Sequence, residues 1–589
     1  MEHKPSEYGK QLVAVRSSRR AALRGGLAAF GGLAAAAVIG CGDDEEATPE
    51  APEQQRPGAG AAVETEPDYV RDAKADGAPF PYNYPEPAAQ PKPGGTLIVG
   101  GGWTQAAWDP NKSQGGSSIT TPNTAADRLL GLVTGPKMPK TKVDLQPELA
   151  TSWEVSPDGL RYTFRLRDGV KFQNVEPVNG RPFVAKDVVS VYERQRTGVS
   201  RAMLSDVDRI TAPDDRTVVI ILKQPNADFL IPLATRLFPI YPIEVADKGL
   251  IDKVAIGTGP AIVTSADANG VRFKSNPDYW GGKPLLDGLE YRFVGDPATA
   301  LAMFRSGQIH FGATLTSKAD ADRVLQSNPD TLIGCDPLVM QGNATYIFNT
   351  SNPKFADERV RRALSMGMDR KTLIQLLWQG YGKMVTVHGW PFVFDRHPTD
   401  AEFGPWWRFD AAEAKKMLAA AGYEKLEFEL VTPAGRDPAF HSAVFDMWRP
   451  LNVSVRVSSL PYANQVELFQ SKKYEEATQA TPVGSYPAAN NSFYDYMHSK
   501  SNYWRVDDPQ IDQWAEQQRR ELSPQARREI LRKQWDRVQD RVFKIDSVDR
   551  FAIVGLNGAV RYARFNGPYF TNHTFYDWGS MYAKIWLNK

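Results

Sequence analysis

Alternating and continuous apolar patterns predict strands in the first half of the folded sequence. Residues 160–167 alternate apolar and polar with period two and precede the turn signal Asp168-Gly169, which predicts a half-buried strand leading into a hairpin. Residues 96–99 and 217–222 are short apolar runs rich in β-branched side chains, and they predict buried strands. The chain therefore has a substantial β component.

Start and stop signals frame three amphipathic helices further along the chain. Asp296 stands before a proline and predicts a capped helix that ends at Gly307. Asp410 opens a capping-box pattern for a helix that stops at Gly422, and Ser523 caps a third helix. The buried stripe of the third helix is predicted to contain Ile530, Leu531, Trp535, Val538 and Val542. Since helices and strands are interspersed without a repeat, a mixed α/β body follows.

The N-terminal segment is predicted to be an export signal. Arg19 and Arg20 precede an apolar, Gly/Ala-rich run over about residues 25–39, shorter than the roughly 20 apolar residues of a spanning helix. The arginine pair resembles a twin-arginine signal, and residues 38–41 resemble a bacterial lipobox. That resemblance implies that Cys41 becomes the lipidated first residue of the mature protein. The alternative is a cytoplasmic amphipathic tail with a buried cysteine.

Residues 42–93 have the composition of a tether. They are rich in Pro, Ala and acidic residues and show neither a helical nor a strand period, which predicts an extended, disordered spacer. The pattern changes to that of a folded protein from Gly94 onwards. We therefore assign residues 1–41 to the signal and residues 42–93 to the spacer.

Composition and charge exclude several classes of function. The chain has 589 residues with 70 Lys plus Arg against 69 Asp plus Glu, a formal charge of +1. Without a basic excess, nucleic-acid binding is not expected. The two cysteines exclude a disulfide scaffold and a four-thiolate zinc site.

The sequence lacks the familiar motifs of catalysis. It contains no Gly-x-Ser-x-Gly elbow, no His-Glu-x-x-His, no phosphate-binding glycine loop and no Cys-x-x-Cys. The seven histidines are scattered, so we predict no metal site, no cofactor and no catalytic residues.

Long ordered motifs resemble one family. Residues 145–172 (LQPELATSW through PDGLRYTFRLRDGVKF) and 180–189 (GRPFVAKDVV) resemble the signature of the family 5 extracytoplasmic solute-binding proteins, the oligopeptide- and dipeptide-binding proteins of ABC importers. The resemblance continues through shorter motifs in family order and covers most of residues 94–589. These motifs are residues 257–260, 276–283, 348–350, 359–364 and 409–423.

The resemblance implies an α/β, bilobal periplasmic-binding-protein-like fold of type II, in its large three-lobed variant with mixed sheets. The first lobe would consist of residues 94–140, 241–343 and 548–589, the second lobe of 141–240, and the third lobe of 344–547. Hinge crossings are expected near Asn349 and Val548, with the ligand between the first and third lobes.

Four aromatic residues are candidates for the cleft by this resemblance. Trp103 and Trp108 follow the first strand, Tyr346 precedes a hinge, and Trp390 lies where the family runs a loop over the ligand. Aromatic faces suit ligand contact, and packing between lobes is the alternative for each of them.

Residues 484–493 depart from the peptide-binding pattern. Peptide-binding relatives tend to have Asp-Tyr-Pro-Asp-Pro-Asp-Asn here, and an acid of this segment can hold a ligand ammonium. This chain has Ser485, Ala488 and Asn490 at the three acidic positions. We therefore predict weak binding of free-amine peptides, with an ammonium site at Asp495 as the alternative. The segment's candidate ligand contacts are Ser485, Tyr486, Asn490 and Asn491.

The predicted function is a non-enzymatic, monomeric substrate-binding lipoprotein. It would capture a small solute or short peptide between two lobes and deliver it to an ABC transporter permease. Its lipid anchor would hold it at the outer face of the cytoplasmic membrane, in the cell envelope or periplasm. An extracytoplasmic solute sensor or a hydrolase on the same scaffold remain the alternatives.

Overall fold

A computed structural model gives the architecture of the chain after its N-terminal region. The residues it describes are 90–101, 108–112, 116–133, 142–315, 317–336, 345–384, 390–396, 398–480, 486–500, 504–546, 548–550, 552–556, 560–561 and 582–587. The predicted signal, the lipidation site Cys41 and nearly all of the predicted spacer lie outside these ranges.

The strands are short and occur throughout the described ranges. In chain order they are β1 (Thr96–Gly101), β2 (Leu130–Leu132), β3 (Leu145–Pro147), β4 (Ala150–Val155), β5 (Arg161–Leu166), β6 (Val207–Asp214), β7 (Thr217–Leu222), β8 (Ala261–Asp267), β9 (Gly270–Ser275), β10 (Gly288–Phe293), β11 (Phe311–Leu315), β12 (Leu332–Asp336), β13 (Tyr346–Phe348), β14 (Gly382–Met384), β15 (Leu426–Pro433), β16 (Val453–Leu460), β17 (Ala477–Gln479), β18 (Lys544–Ile545), β19 (Val548–Arg550), β20 (Ala552–Leu556), β21 (Val560–Arg561) and β22 (Trp586–Leu587).

The α-helices alternate with these strands. They are α1 (Gly116–Ala125), α2 (Ala185–Gln195), α3 (Leu230–Leu233), α4 (Ile243–Asp247), α5 (Pro297–Arg305), α6 (Lys318–Ser327), α7 (Pro353–Ala356), α8 (Glu358–Met366), α9 (Arg370–Trp378), α10 (Trp390–Phe394), α11 (Ala411–Ala420), α12 (Pro438–Trp448), α13 (Tyr462–Gln470), α14 (Pro509–Arg520) and α15 (Pro524–Arg541). A π-helical turn spans Asn491–Asp495.

Two large sheets are mixed. The seven-stranded sheet has the order β12-β20-β11-β1-β10-β9-β8, in which β1 runs parallel to β10 and β11. The five-stranded sheet has the order β16-β15-β17-β13-β18, with β15 parallel to β16 and β17 and with β13 antiparallel to both neighbours. The predicted α/β class with mixed sheets is confirmed.

The predicted second lobe contains a separate antiparallel sheet of order β4-β5-β7-β6. Tyr162, Phe164 and Leu166 of β5 alternate into a buried apolar cluster while the intervening side chains lie outside it. The whole of β7 is nearly apolar and mostly buried. This sheet thus packs on one apolar cluster, which also includes residues that the resemblance assigns to the other two lobes, and the lobe boundaries stay a prediction.

The five-stranded sheet separates two hydrophobic clusters. Tyr346 and Phe348 of β13 point into a cluster that includes Trp448 of α12. Ile347, between them, points to the opposite cluster with Trp535 of α15. Because successive strand residues face opposite sides, this short strand contributes to both cores and is fully buried.

Local sequence signals placed the helices correctly and one hairpin incorrectly. The side chains of Asp296, Asp410 and Ser523 accept hydrogen bonds from the first turns of α5, α11 and α15, as predicted. The predicted hairpin after Asp168-Gly169 is wrong, because β5 pairs with the preceding β4 and with β7, about fifty residues later in the chain. A turn signal fixes a chain reversal but not the strand that pairs next.

Candidate ligand-binding site

The chain passes between the two large sheets twice. It leaves the seven-stranded sheet at Asp336 and enters the five-stranded sheet at Tyr346. It leaves the five-stranded sheet at Ile545 and re-enters the seven-stranded sheet at Ala552, with β19 between them pairing to β14. The first passage ends just before Asn349 and the second contains Val548.

A buried hydrogen bond links the two passages. Asp546 accepts a hydrogen bond from the hydroxyl of Thr345 at 2.9 Å, and its carboxylate also pairs with Lys544. The guanidinium of Arg370 donates to the backbone oxygen of Asp546 at 3.0 Å. Thr345 precedes β13 and Asp546 follows β18, so the contact links the two passages where they meet the five-stranded sheet.

The strand ends of the five-stranded sheet face this junction. Tyr346 begins β13 and pairs with Gln479, the last residue of β17, while β15 ends at Pro433 on the same edge. The carboxyl ends of parallel strands are where α/β folds bind ligands, because the following loops converge there. The geometry therefore makes this edge the candidate ligand-binding site.

Tyr346 lies at this edge but its ring is enclosed. Its side chain is 1% exposed and packs against Phe440 and Trp448. Its hydroxyl is 2.8 Å from Nδ1 of His441. Burial lowers the pKa of His441, so a neutral imidazole shares this hydrogen bond at pH 7. Ligand contact by Tyr346 stays a prediction, and packing is what its surroundings provide.

The candidate tryptophans also pack within the protein. Trp390 is fully buried between Phe394 and Trp535, with ring centroids 4.0 and 4.9 Å away. Trp108 is 8% exposed and packs with Ala125 and Ala255. Trp103 lies outside the described residues. Packing accounts for the surroundings of Trp390, whereas Trp108 also lines a pocket with Ala255 and Val263. Ligand contact by either tryptophan stays a prediction.

The segment after β17 holds a hydrogen-bonded Tyr–Asp pair. Tyr486 is buried and donates from its hydroxyl to Oδ2 of Asp495 at 2.7 Å. Burial raises the pKa of Asp495 to about 6, against the opposing effects of the Tyr486 hydrogen bond and the charge of Arg519. Asp495 is thus partly buried and hydrogen-bonded to Tyr486. Ser485, the residue before Tyr486, lies outside the described residues.

Two positions of this segment face the second lobe. Ala488 is 2% exposed and belongs to the apolar cluster of the predicted second lobe. Asn490 is buried and its side chain bonds to Asn226 and Gln518, both at 2.9 Å. A ligand contact by Asn490 requires this network to open. Asn491 is also buried, and its ligand role stays a prediction.

The sequence analysis did not identify the charged residues that contact the segment around Asn490. Asp228 accepts the backbone N–H of Asn490 at 2.9 Å and pairs with Arg527 at 2.5 Å. Arg527 is one of several arginines along α15, and Asp228 lies nearly three hundred residues earlier in the chain. No local pattern distinguishes either residue from a solvated charge.

Comparisons with known proteins agree with this geometry. Residues 144–504 match the family model "Bacterial extracellular solute-binding proteins, family 5 Middle". The structure is similar to that of the periplasmic binding protein DppA from Helicobacter pylori in complex with the peptide STSA. The TM-score is 0.71 at 21% identity, covering 85% of this chain and 99% of that one.

Two curated relatives have different named ligands. Heme-binding protein A of Haemophilus influenzae is 30% identical over 313 residues, 48% of this chain and 55% of the relative. Di/tripeptide-binding protein 2 of Pseudomonas aeruginosa is 31% identical over 301 residues, 47% of this chain and 55% of the relative. The matched region thus spans about half the length of these curated relatives.

Proposed function

The chain belongs to the family 5 bacterial extracellular solute-binding proteins, and from this premise we propose that it captures a small solute or short peptide and delivers it to an ABC-type importer. The observation that carries the proposal is the edge of the five-stranded sheet at Tyr346, where two passages join it to the seven-stranded sheet. Two bodies joined by two chain passages can close around a ligand by hinge bending.

Binding without chemical change suffices for this function. Closure converts occupancy into a shape that a permease can recognise, so no nucleophile or general base is needed. The partners are a permease and a small-molecule or short-peptide ligand, and the protein acts as a monomer.

Ligand identification tests the proposal directly. Protein purified without refolding is denatured, and the released small molecules are identified by mass spectrometry. Adding the identified compound back at one hundred times its Kd should stabilise the folded state by about 2.7 kcal/mol and raise the Tm. Small-angle scattering should show a smaller radius of gyration. If the identified compound leaves the Tm unchanged when it is added back, solute binding is contradicted. If the radius of gyration does not change, closure is contradicted.

We also propose that a lipid on Cys41 anchors the protein to the outer face of the cytoplasmic membrane. The paired arginines and the lipobox-like residues 38–41 support it. Among the helices that the structure describes, none has the length and apolar character to cross a bilayer.

Cys41→Ala should release the exported protein from the membrane, because the thiol is the proposed attachment point for the lipid. Fractionation of membranes from cells expressing the full chain measures the effect, with most of the variant expected in the soluble extracytoplasmic fraction. The matched control is Cys335→Ala, which removes the other cysteine and should leave the protein in the membrane. Membrane retention of Cys41→Ala contradicts lipid anchoring at this residue.

A further inference from the structure

The second lobe meets the C-terminal helices α14 and α15 through two buried ion pairs. Asp206 pairs with Arg519 at 2.7 Å, and each side chain is 5% exposed. Asp228 accepts two hydrogen bonds from Arg527, at 2.6 and 2.5 Å. We name these four residues together with Asn490 the interlobe network.

Hydrogen bonds complete the interlobe network. The backbone N–H of Asn490 donates to Asp228 at 2.9 Å, and the backbone N–H of Ala227 donates to the carbonyl of Arg519 at 2.8 Å. The side chain of Asn226 donates to Asp206 at 3.0 Å. Buried charges are tolerated only when they are paired and hydrogen-bonded, and both carboxylates of the network meet this requirement. Nε of Arg519 is buried with no hydrogen-bond partner among the described residues.

Apolar side chains extend the same contact. Tyr486 and Ala488, from the segment that follows β17, belong to the apolar cluster of the second lobe. Tyr486 is the immediate neighbour of Ser485, the position where peptide-binding relatives carry an acid. The second lobe therefore packs against the segment that contains the candidate ligand contacts.

The second lobe is also fixed to the first lobe. The amide of Gln173 donates to the carbonyl oxygens of Ala125 and Ala261, at 3.0 and 2.8 Å. Leu129 and Ile256, which the resemblance assigns to the first lobe, share the apolar cluster of the second lobe. The second lobe thus contacts both bodies that flank the candidate site.

We propose that the second lobe is a latch that holds the first and third lobes closed through the interlobe network. The proposal rests on the proposed function, because it concerns the closure that captures the solute. If the third lobe swings away, both ion pairs and the Tyr486 contact separate and become hydrated. A latch that raises the closed population reduces the conformational cost of binding and so raises the apparent affinity.

Two backbone amides report on the latch without any ligand. The amides of Ala227 and Asn490 are bonded across the interface, whereas the amide of Phe229 bonds to Asn226 within the second lobe. Hydrogen–deuterium exchange that resolves single amides is measured on the full chain. In Arg527→Gln, exchange at Ala227 and Asn490 should be about tenfold faster or more, while Phe229 keeps its rate.

The matched control removes an ion pair on the same helix that does not cross between lobes. Arg537 pairs with Asp508 at 2.8 Å, and both residues belong to the predicted third lobe. Arg537→Gln should leave exchange at Ala227 and Asn490 at the unmodified rate. If Arg527→Gln does not fold, Arg527→Lys keeps the charge but loses the bidentate geometry, and faster exchange at the two amides is again expected.

Several results would overturn the latch. These are unchanged exchange at Ala227 and Asn490 in a folded Arg527 variant, equal acceleration in the Arg537→Gln control, or full exposure of both amides in the unmodified protein. The experiment contains no solute, so its outcome is independent of solute capture. Failure to find any bound ligand would count against the proposed function while leaving the exchange result intact.

Discussion

Ala488→Asp is expected to destabilise the folded protein by about 3–5 kcal/mol, the cost of leaving a buried charge without a partner. Ala488 is 2% exposed inside the apolar cluster of the second lobe, beside Tyr486. The new carboxylate would lose its hydration there. Unfolding in guanidinium chloride at pH 7, followed by tryptophan fluorescence, measures the free energy of unfolding.

An exposed alanine supplies the control for this substitution. Ala412 lies in the first turn of α11 and is exposed, so Ala412→Asp should change the free energy of unfolding by no more than about 0.5 kcal/mol. If Ala488→Asp also stays within that range, Ala488 is not in the apolar cluster. The substitution is therefore not expected to create an ammonium site.

The parts of the fold that were predictable depend on local interactions. Asp296 caps α5 by accepting a hydrogen bond from the backbone N–H of Thr299, three residues away. Such a contact can be predicted from neighbouring residues in the sequence. The neighbours of β5 were not predictable in this way, because β7 is brought to its side by tertiary packing. Period-two patterning located β5 correctly but carried no information about its partner.

The candidate site was predictable only to the level of segments. Resemblance located the segment that contains Tyr486 and Asn490, but not the direction in which each side chain points. The π-helical turn Asn491–Asp495 follows directly, and the backbone carries Asn490 towards Asp228 of the second lobe. Long-range electrostatic pairing of this kind has no signature in a single sequence.

Ser485 is the position that we choose for testing recognition of a ligand ammonium. Of the three positions that carry acids in peptide-binding relatives, Ala488 and Asn490 face the second lobe. The alternative acid, Asp495, is partly buried and accepts a hydrogen bond from the Tyr486 hydroxyl. Ser485 is the remaining position, and it has no charge to offer an ammonium group.

Ser485→Asp is therefore expected to strengthen binding of free-amine peptides about ten- to one-hundredfold, since a hydrogen bond to a charged group is worth about 1.5–3 kcal/mol. The unmodified protein should bind trialanine and similar peptides weakly or not at all. Isothermal titration calorimetry at pH 7 measures both affinities. N-acetyl-trialanine, which lacks the ammonium, should gain nothing from the substitution.

Two variants separate charge from shape in this experiment. Ser485→Asn has nearly the size of the aspartate variant without its charge and should give no comparable gain in affinity for free-amine peptides. Asp495→Asn tests whether Asp495 supplies the counter-charge instead. Submicromolar binding of several unrelated free-amine peptides by the unmodified protein would contradict the prediction. If Asp495→Asn then abolished that binding, Asp495 would be the ammonium site, and the Tyr486 hydrogen bond would have to open when ligand enters.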